Sequence, residues 1–517
     1  MDGWLFNTLT AIVSISEALI LLFLFYYYYV SVSGWKKHEE EKNFTPEKRF
    51  ALITAAHNEE SVIRYHIESL KQLNYPPELF DIYVIADNCT DQTAAVARQE
   101  GVNVFERFSP QRGKGFALEW MFNELFKMEE EQKYDAICLF DADNVVSSNF
   151  LLEMNSKLKK GFRSIQGYLD TKNPNDSWVT ACYATAYWSM NRMWQLARYN
   201  KGLSNALGGT GVCLEYTLLK EYGWGATCLT EDLEFTMKLL LNGIKTSWAH
   251  EAKVYDEKPV YFSQTWRQRT RWLSGHWDVC FRYAIPLLKK GIKERKWYPI
   301  DGTIYLLQPI MIMLMLFNFL MAGLTYLFPQ PIFVSTIANL APSWFWWAFG
   351  ILGYCYPMLG LVLEGAPKRA YFYYITYPFY GFTWFPVTFW GLLQHKKQSE
   401  WAHTIHHRGI SISSLEADEP PVPVAEAAAA PVEVAAKTKP QKSKKSSVRR
   451  SFAPYATLVT RDGQNVEAEA PVARAAKAVY PTLVTTSSAI LKPVEVVKAT
   501  INKDNRPTVT AAGGESR

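Results

Sequence analysis

Residues 135–144 read DAICLFDADN. The run Ala136–Phe140 is apolar throughout, and a short run of that kind reads as a strand buried on both faces. It ends in Asp141 and Asp143. At i and i+2 the two share a direction where the strand ends. Two carboxylates without nearby sulfur or paired histidines suit a hard cation such as Mg2+ or Mn2+, which completes its shell with substrate phosphates. The plainer reading of the same residues is an Asx turn.

Upstream the pattern repeats. RFALITAA (49–56), FDIYVIAD (80–87) and VNVFE (102–106) read as strands, separated by helical patterns over 60–73, 91–100 and 115–128. Strand–helix alternation at this spacing predicts an α/β domain over 45–260: a mostly parallel sheet with helices on both faces. In such sheets ligands bind beyond the carboxyl ends of the strands. The polar clusters HNEE (57–60), ADNCTD (86–91) and DADN (141–144) lie at those ends. Taken singly, Asn88, Thr90 and Asp91 read as turn or cap residues.

Three further motifs carry chemistry. QRGKG (111–115) sets Arg112 and Lys114 between glycines before a helix, which suits phosphate as well as it suits a solvated loop. CLTEDLEFTMKLLLNG (228–243) opens a helix with Thr230, Glu231 and Asp232. This is helix capping, or it supplies Asp232 as a general base whose pKa a neighbouring acid would raise. In QRTRW (268–272), Gln268, Arg271 and Trp272 fall on one helical face, and Arg269 points elsewhere, toward lipid head groups.

The chain of 517 residues exceeds one typical domain, and its net charge of +5 does not imply a nucleic-acid partner. Seven cysteines without CxxC spacing suggest neither a zinc site nor a disulfide framework, which fits a reducing compartment. Residues 4–30 are long enough to anchor the chain in a bilayer. Tyr26 to Tyr29 suit an interfacial belt, and Lys36 and Lys37 place the inner side after the helix. Glu17 within it is either functional or a protonated packing residue. Residues 303–328, 344–364 and 371–394 are further candidate spans. Their flanking charges do not agree in parity, so either 371–394 is partly re-entrant or interfacial, or 329–364 crosses twice.

Taken in order, HNEE, ADNCTD, GKG, FDADN, TED and QRTRW resemble the processive family 2 glycosyltransferases, which include cellulose, chitin, hyaluronan and poly-N-acetylglucosamine synthases. The stretch AHEAKVYDEKPVYFSQTWRQRTRWLSGH (249–276) looks particularly like that group. The resemblance implies a cytoplasmic Rossmann-like GT-A domain fused to membrane helices in the cell membrane. By position it implies that His57, Asn58, Glu59, Asp87 and Lys114 surround the nucleotide of a UDP-sugar, UDP-glucose or UDP-N-acetylglucosamine. Asp141 and Asp143 would hold the diphosphate with Mg2+ or Mn2+. Asp232, beside Glu231, would take the proton from a growing β-glycan. Gln268, Arg271 and Trp272 would line the acceptor and diphosphate site. GGTGVCLE (208–215), with Gly209 and Thr210, matches a loop near the acceptor. Transfer to a lipid acceptor is the alternative within the same chemistry.

The expected division is a helix at 1–32, the GT-A domain at 45–260 and interface helices at 261–300. A membrane region at 301–395, a cytoplasmic segment at 396–412 and a disordered tail at 413–517 follow. Tyr183, Tyr187, Met190 and Trp194 recur at helical spacing near Arg192 and Arg198, marking either a membrane-interface helix or a core-facing one. His250 reads as structural. His403, His406 and His407 resemble the family's segment after the last membrane helix. The basic stretch 437–450 is a linker or a lipid-binding patch.

Overall fold

A computed structural model describes residues 3–37, 40–128, 133–225, 227–328, 331–398, 406 and 408–416. Apart from 413–416 the tail, with its basic stretch, lies outside the described residues, as do His403 and His407. The strands are β1 (Phe50–Ala56), β2 (Phe80–Asp87), β3 (Asn103–Arg107), β4 (Ala136–Asp141), β5 (Val145–Val146), β6 (Ser164–Thr171), β7 (Val212–Glu215) and β8 (Ser247–Asp256).

They form one sheet ordered β3-β2-β1-β4-β7-β6-β8-β5. β3, β2, β1 and β4 run parallel, as expected. The other half is mixed: β7 is antiparallel to both β4 and β6, and β5 is antiparallel to β8. The expectation of a mostly parallel sheet is corrected there.

β1 shows why the parallel half forms. Ala51 and Ile53 pack into one core with Leu118, Met121 and Phe122, whereas Phe50 and Leu52 face Leu151 and Met154 on the other side. A strand covered on both faces by helices must be apolar at every position. Burying each large side chain contributes roughly 1.5–3 kcal/mol. Chain order places β2 on one side of β1 and β4 on the other, so a crevice opens between the carboxyl ends of β1 and β4. Register pairs Ala56 with Ala86 and Ala55 with Asp141, which brings the three polar clusters to one edge.

Three described helices are long and apolar enough to cross a membrane: Gly3–Gly34, Gln308–Thr325 and Ser343–Leu363. The expected span 303–328 is shorter, because Trp297–Leu306 is a separate helix ending at Leu307. No single helix covers the expected span 371–394. Lys368–Gln394 is broken into short helical pieces, with Pro378 at the start of one of them. Glu17 accepts a hydrogen bond from Ser335 Oγ at 2.6 Å.

The tyrosine run does more than meet an interface. Tyr27 stacks on Trp194 at 5.0 Å, Tyr26 donates to Asp301 Oδ1 at 2.7 Å, and the Lys201 ammonium lies 3.9 Å from the Tyr29 ring. Arg192 and Arg198 do not face lipid. Arg192 binds the Gly34 carbonyl at 2.6 Å, and Arg198 pairs with Asp301 while covering Trp194 at 4.0 Å. Arg198 and Asp301 are 3% and 1% exposed, so removing one strands a buried charge. Asp301→Ala is expected to lower stability by about 3–5 kcal/mol, read as a fall in the unfolding midpoint of detergent-solubilised protein.

Candidate active site

The strand ends, the Glu231–Leu241 helix and the Phe262–Glu294 helix enclose a cavity of about 760 Å3. His57, Glu59, Asp87 and Lys114 line one end. Asp141, Asp143, Gly209, Thr210, Glu231 and Asp232 line its middle, followed by Gln268, Arg271 and Trp272. Asn58 does not line it. Its backbone adopts φ +55°, and its Oδ1 accepts the Thr90 amide at 2.8 Å. Asn58 is therefore a stitch between two loops, its side chain turned toward Thr90. Asn88 does the same at φ +51°, accepting the Ser109 amide at 3.0 Å. Asp91 accepts the Thr93 amide at 3.0 Å, as a cap residue would.

At the first end, Arg107 donates to Asp87 Oδ1 at 2.6 Å and to the Gln111 carbonyl at 3.0 Å. This ties the glycine loop to the end of β2. The Asp87 carbonyl meets His57 Nδ1 at 2.7 Å. Lys114 bridges Asp141 and the Gly209 carbonyl, the latter at 2.6 Å. The DADN turn is fixed from behind, because the Asp141 amide donates to Asn144 Oδ1 at 3.0 Å and to Thr210 Oγ1 at 3.2 Å. Thr210 is thus a wedge under the turn, and residues 212–215 of the expected loop are β7.

The two aspartates differ. Asp141 is 40% exposed and faces the cavity. Asp143 is buried and accepts the Glu257 amide at 2.7 Å. Burial alone would raise its pKa, but His406 and Lys172 hold it below the ordinary carboxylate range.

Thr230 precedes the Glu231–Leu241 helix, but its hydroxyl caps nothing. Its side chain packs on Gly275, where a Cβ would have no room. Gly209, at φ +79°, comes so close to Asp232 that a Cβ there would stand 3.3 Å from the carboxylate. Asp232 Oδ1 accepts the Leu233 amide at 2.7 Å. Burial raises the pKa of both Glu231 and Asp232, and that of Glu231 is raised further by Asp232.

On the Phe262–Glu294 helix, Gln268 accepts the Tyr183 hydroxyl at 2.8 Å, and Trp272 meets the Tyr183 ring edge-on at 6.3 Å. Among the described residues Arg271 forms no hydrogen bond or ion pair, and its charge reaches Glu231 and Asp232. Arg269 is wholly buried rather than lipid-facing. It donates to Thr383 Oγ1 at 2.8 Å and lies 4.6 Å from the Tyr380 ring. Tyr183, Tyr187, Met190 and Trp194 also line the cavity, so that face is turned inward and not toward a membrane surface. His250 pairs with Glu364 at 3.5 Å, a structural contact.

Sequence reasoning missed the DEK run at the end of β8. Asp256 lines the cavity, receives Lys258 at 2.7 Å, and is lifted by burial to about 6. The available signal was a carboxylate closing a strand, as in β2 and β4. Sequence reasoning placed His406 in a segment after the last membrane helix but gave it no role in the site. His406 Nδ1 meets Glu59 at 3.0 Å, Ser61 donates to the His406 carbonyl at 2.9 Å, and Ile412 packs on Val145 and Tyr255. His406 thus lies beside Glu59 and within electrostatic reach of Asp143 at the cavity wall.

Residues 46–275 match the family described as glycosyltransferase like family 2. This stretch is a family 2 glycosyltransferase domain with a GT-A-like sheet. Three curated relatives are similar to it. The probable glycosyltransferase YdaM of Bacillus subtilis is 25% identical over 47% of this chain and 58% of its own length. The beta-monoglucosyldiacylglycerol synthase of Nostoc is 27% identical over 48% and 53%. The poly-beta-1,6-N-acetyl-D-glucosamine synthase of Staphylococcus epidermidis is 26% identical over 46% and 57%. The chain thus spans somewhat more than half the length of the relatives it matches.

Proposed function

We propose that this protein is a multi-pass, inverting hexosyltransferase of the cell membrane, with its catalytic domain on the cytoplasmic face. It polymerises a UDP-sugar, UDP-glucose or UDP-N-acetylglucosamine, into a β-linked glycan and passes the product across the bilayer. One observation carries this reading. The cavity runs without interruption from the ends of β1, β2 and β4, past Asp232, to Met315, Tyr380 and Trp384 on the helices that follow. A donor bound at the strand ends and a chain leaving among the helices would share one space.

Lys114, His57 and Asp87 would cradle the nucleotide diphosphate. Asp141 and Asp143 offer oxygen donors suited to Mg2+ or Mn2+. Among the described residues no group of three His, Cys, Asp or Glu side chains is placed to hold a metal alone, which fits an ion shared with substrate phosphates. Bound there, a divalent cation would neutralise charge on the leaving diphosphate. Arg271 would add a fixed positive charge on the other side. Asp232 would accept the proton of the attacking hydroxyl, held ready by burial beside Glu231. Trp272 would offer its face to the accepting sugar ring. A single displacement on an α-linked donor gives a β-linked product.

Transfer of one sugar to a lipid is the second reading. It is favoured by the apolar residues Ile312, Met315 and Trp384 at the far end of the cavity, and by the similarity to a glucosyldiacylglycerol synthase. Purified protein in detergent, given each radiolabelled UDP-sugar with Mg2+ or Mn2+ and with or without diacylglycerol, separates the two. Label in high-molecular-weight, protease-resistant material supports polymerisation. Label only in organic-extractable lipid supports the second reading, and no incorporation with any donor overturns both.

A further inference from the structure

Tyr187 stands where the strand-end half of the cavity meets the helical half. It lies on the helix Trp178–Met190, which Ser177 and Thr180 cap reciprocally. Side chains just beyond it pin that helix to β6. Trp188 Nε1 donates to Asp170 Oδ1 at 2.8 Å, and Asn191 donates to the Leu169 carbonyl at 2.8 Å. The Tyr187 ring packs on the sheet core at one side and beside the Tyr183 ring, 6.4 Å away, at the other. One face of the ring is taken by a fixed cation. The Lys258 ammonium lies 3.3 Å from the ring centre, is 3% exposed, and donates to Asp256 Oδ2 at 2.7 Å. Asn173 holds the Lys258 backbone, accepting its amide at 2.8 Å and donating to its carbonyl at 2.9 Å. This clamp fixes the direction in which the phenol points.

The hydroxyl is the part left open. Tyr187 lines the cavity, and among the described residues its hydroxyl makes no hydrogen bond and is not sealed in the wall. Burial raises its pKa, and Asp256, Asp232, Tyr305 and Asp141 raise it further. The phenol therefore stays protonated and able to donate. Those neighbours also locate it, because only charges close by act on it strongly. In the reading above, Asp141 belongs to the diphosphate end and Asp232 to the accepting end. A sugar in transfer has its C1 on the diphosphate and faces the incoming hydroxyl. It must lie between those two carboxylates, which is where the Tyr187 hydroxyl stands.

We propose that the Tyr187 hydroxyl donates a hydrogen bond to a polar substituent of the sugar ring being transferred, with Lys258 and Asp256 as positioning residues that hold the phenol in place. The proposal rests on the reading of the cavity as a UDP-sugar site. It adds a group that addresses the sugar where His57, Asp87 and Lys114 address the nucleotide diphosphate.

The test is calorimetric binding of UDP, UDP-glucose and UDP-N-acetylglucosamine to the full chain in detergent micelles with Mn2+. Tyr187→Phe removes one oxygen and keeps the ring under Lys258. It is expected to weaken binding of the preferred UDP-sugar about 5- to 10-fold and to leave binding of UDP unchanged. Analogues of that donor lacking the C2 substituent or the C3, C4 or C6 hydroxyl then identify the partner. One of the four should bind the wild type and Tyr187→Phe alike, which a merely structural role would not produce. The thermal unfolding midpoint of the variant separates binding from folding. Equal UDP-sugar binding by the two proteins, a loss that UDP shares, or a loss undiminished across all four analogues overturns the role of Tyr187 and leaves the transferase reading standing. A wild type that binds neither UDP nor any UDP-sugar overturns the transferase reading and the proposal with it.

Discussion

Asp232→Asn is expected to lower kcat about 100- to 10,000-fold, the range a positioned general base supplies, with a much smaller change in donor binding. The amide keeps the size of the side chain and its contact with the Leu233 amide, so a loss of this size reports the missing proton acceptor. The same carboxylate sets a pH signature. Burial raises its pKa, so the reactive anion appears only above the ordinary carboxylate range. Activity should therefore rise with pH along a limb whose midpoint lies above that range. A variant that keeps wild-type kcat, or an acid limb centred at an ordinary aspartate value, removes Asp232 from this role.

Arg271→Ala is expected to cost about 100- to 1,000-fold in kcat, as the loss of one preorganised group facing transition-state charge does. Among the described residues no ion pair holds the guanidinium, so little structural stability depends on it. A second readout distinguishes charge from shape. Arg271 holds the pKa values of Glu231 and Asp232 down, so without it both should rise and the acid limb should move to higher pH. Arg271→Lys should keep the limb in place while losing part of kcat, because an ammonium carries the charge without the fork. An acid limb that stays fixed in Arg271→Ala overturns the electrostatic assignment.

The parallel half of the sheet was legible because its strands are buried on both faces and so are apolar without interruption. β6 and β8 were not, for a physical reason. Gln166 within β6 is fully buried and donates to the Thr210 carbonyl at 2.8 Å, so a polar residue stands where a sequence pattern shows surface. Asp87 and Asp141, which close apolar runs, do line the cavity, whereas Asp256, which closes β8 in the same way, went unread because β8 itself was not recognised. The stitch made by Asn58 was not legible, because a left-handed turn and a ligand contact select the same residue type. Arg269 lay off the Gln268 face, as periodicity requires. Its burial depends on Thr383 and Tyr380, more than a hundred positions away, and helical spacing carries no information about them.

The contact between Tyr26 and Asp301 joins residues 275 positions apart, and Arg192 reaches back 158 positions to Gly34. At roughly 5–20 residues per second of synthesis, the first helix waits about 14–55 s for the partner of Tyr26 to emerge. In that interval the sheet domain between them can fold as a unit while joined to the membrane at one end only. The contact of Tyr26 with Asp301 can close only after that, and the contacts of the first helix with Ser335 and Tyr356 later still. Assembly of the catalytic cavity is thereby timed to the arrival of the helices that complete its far wall.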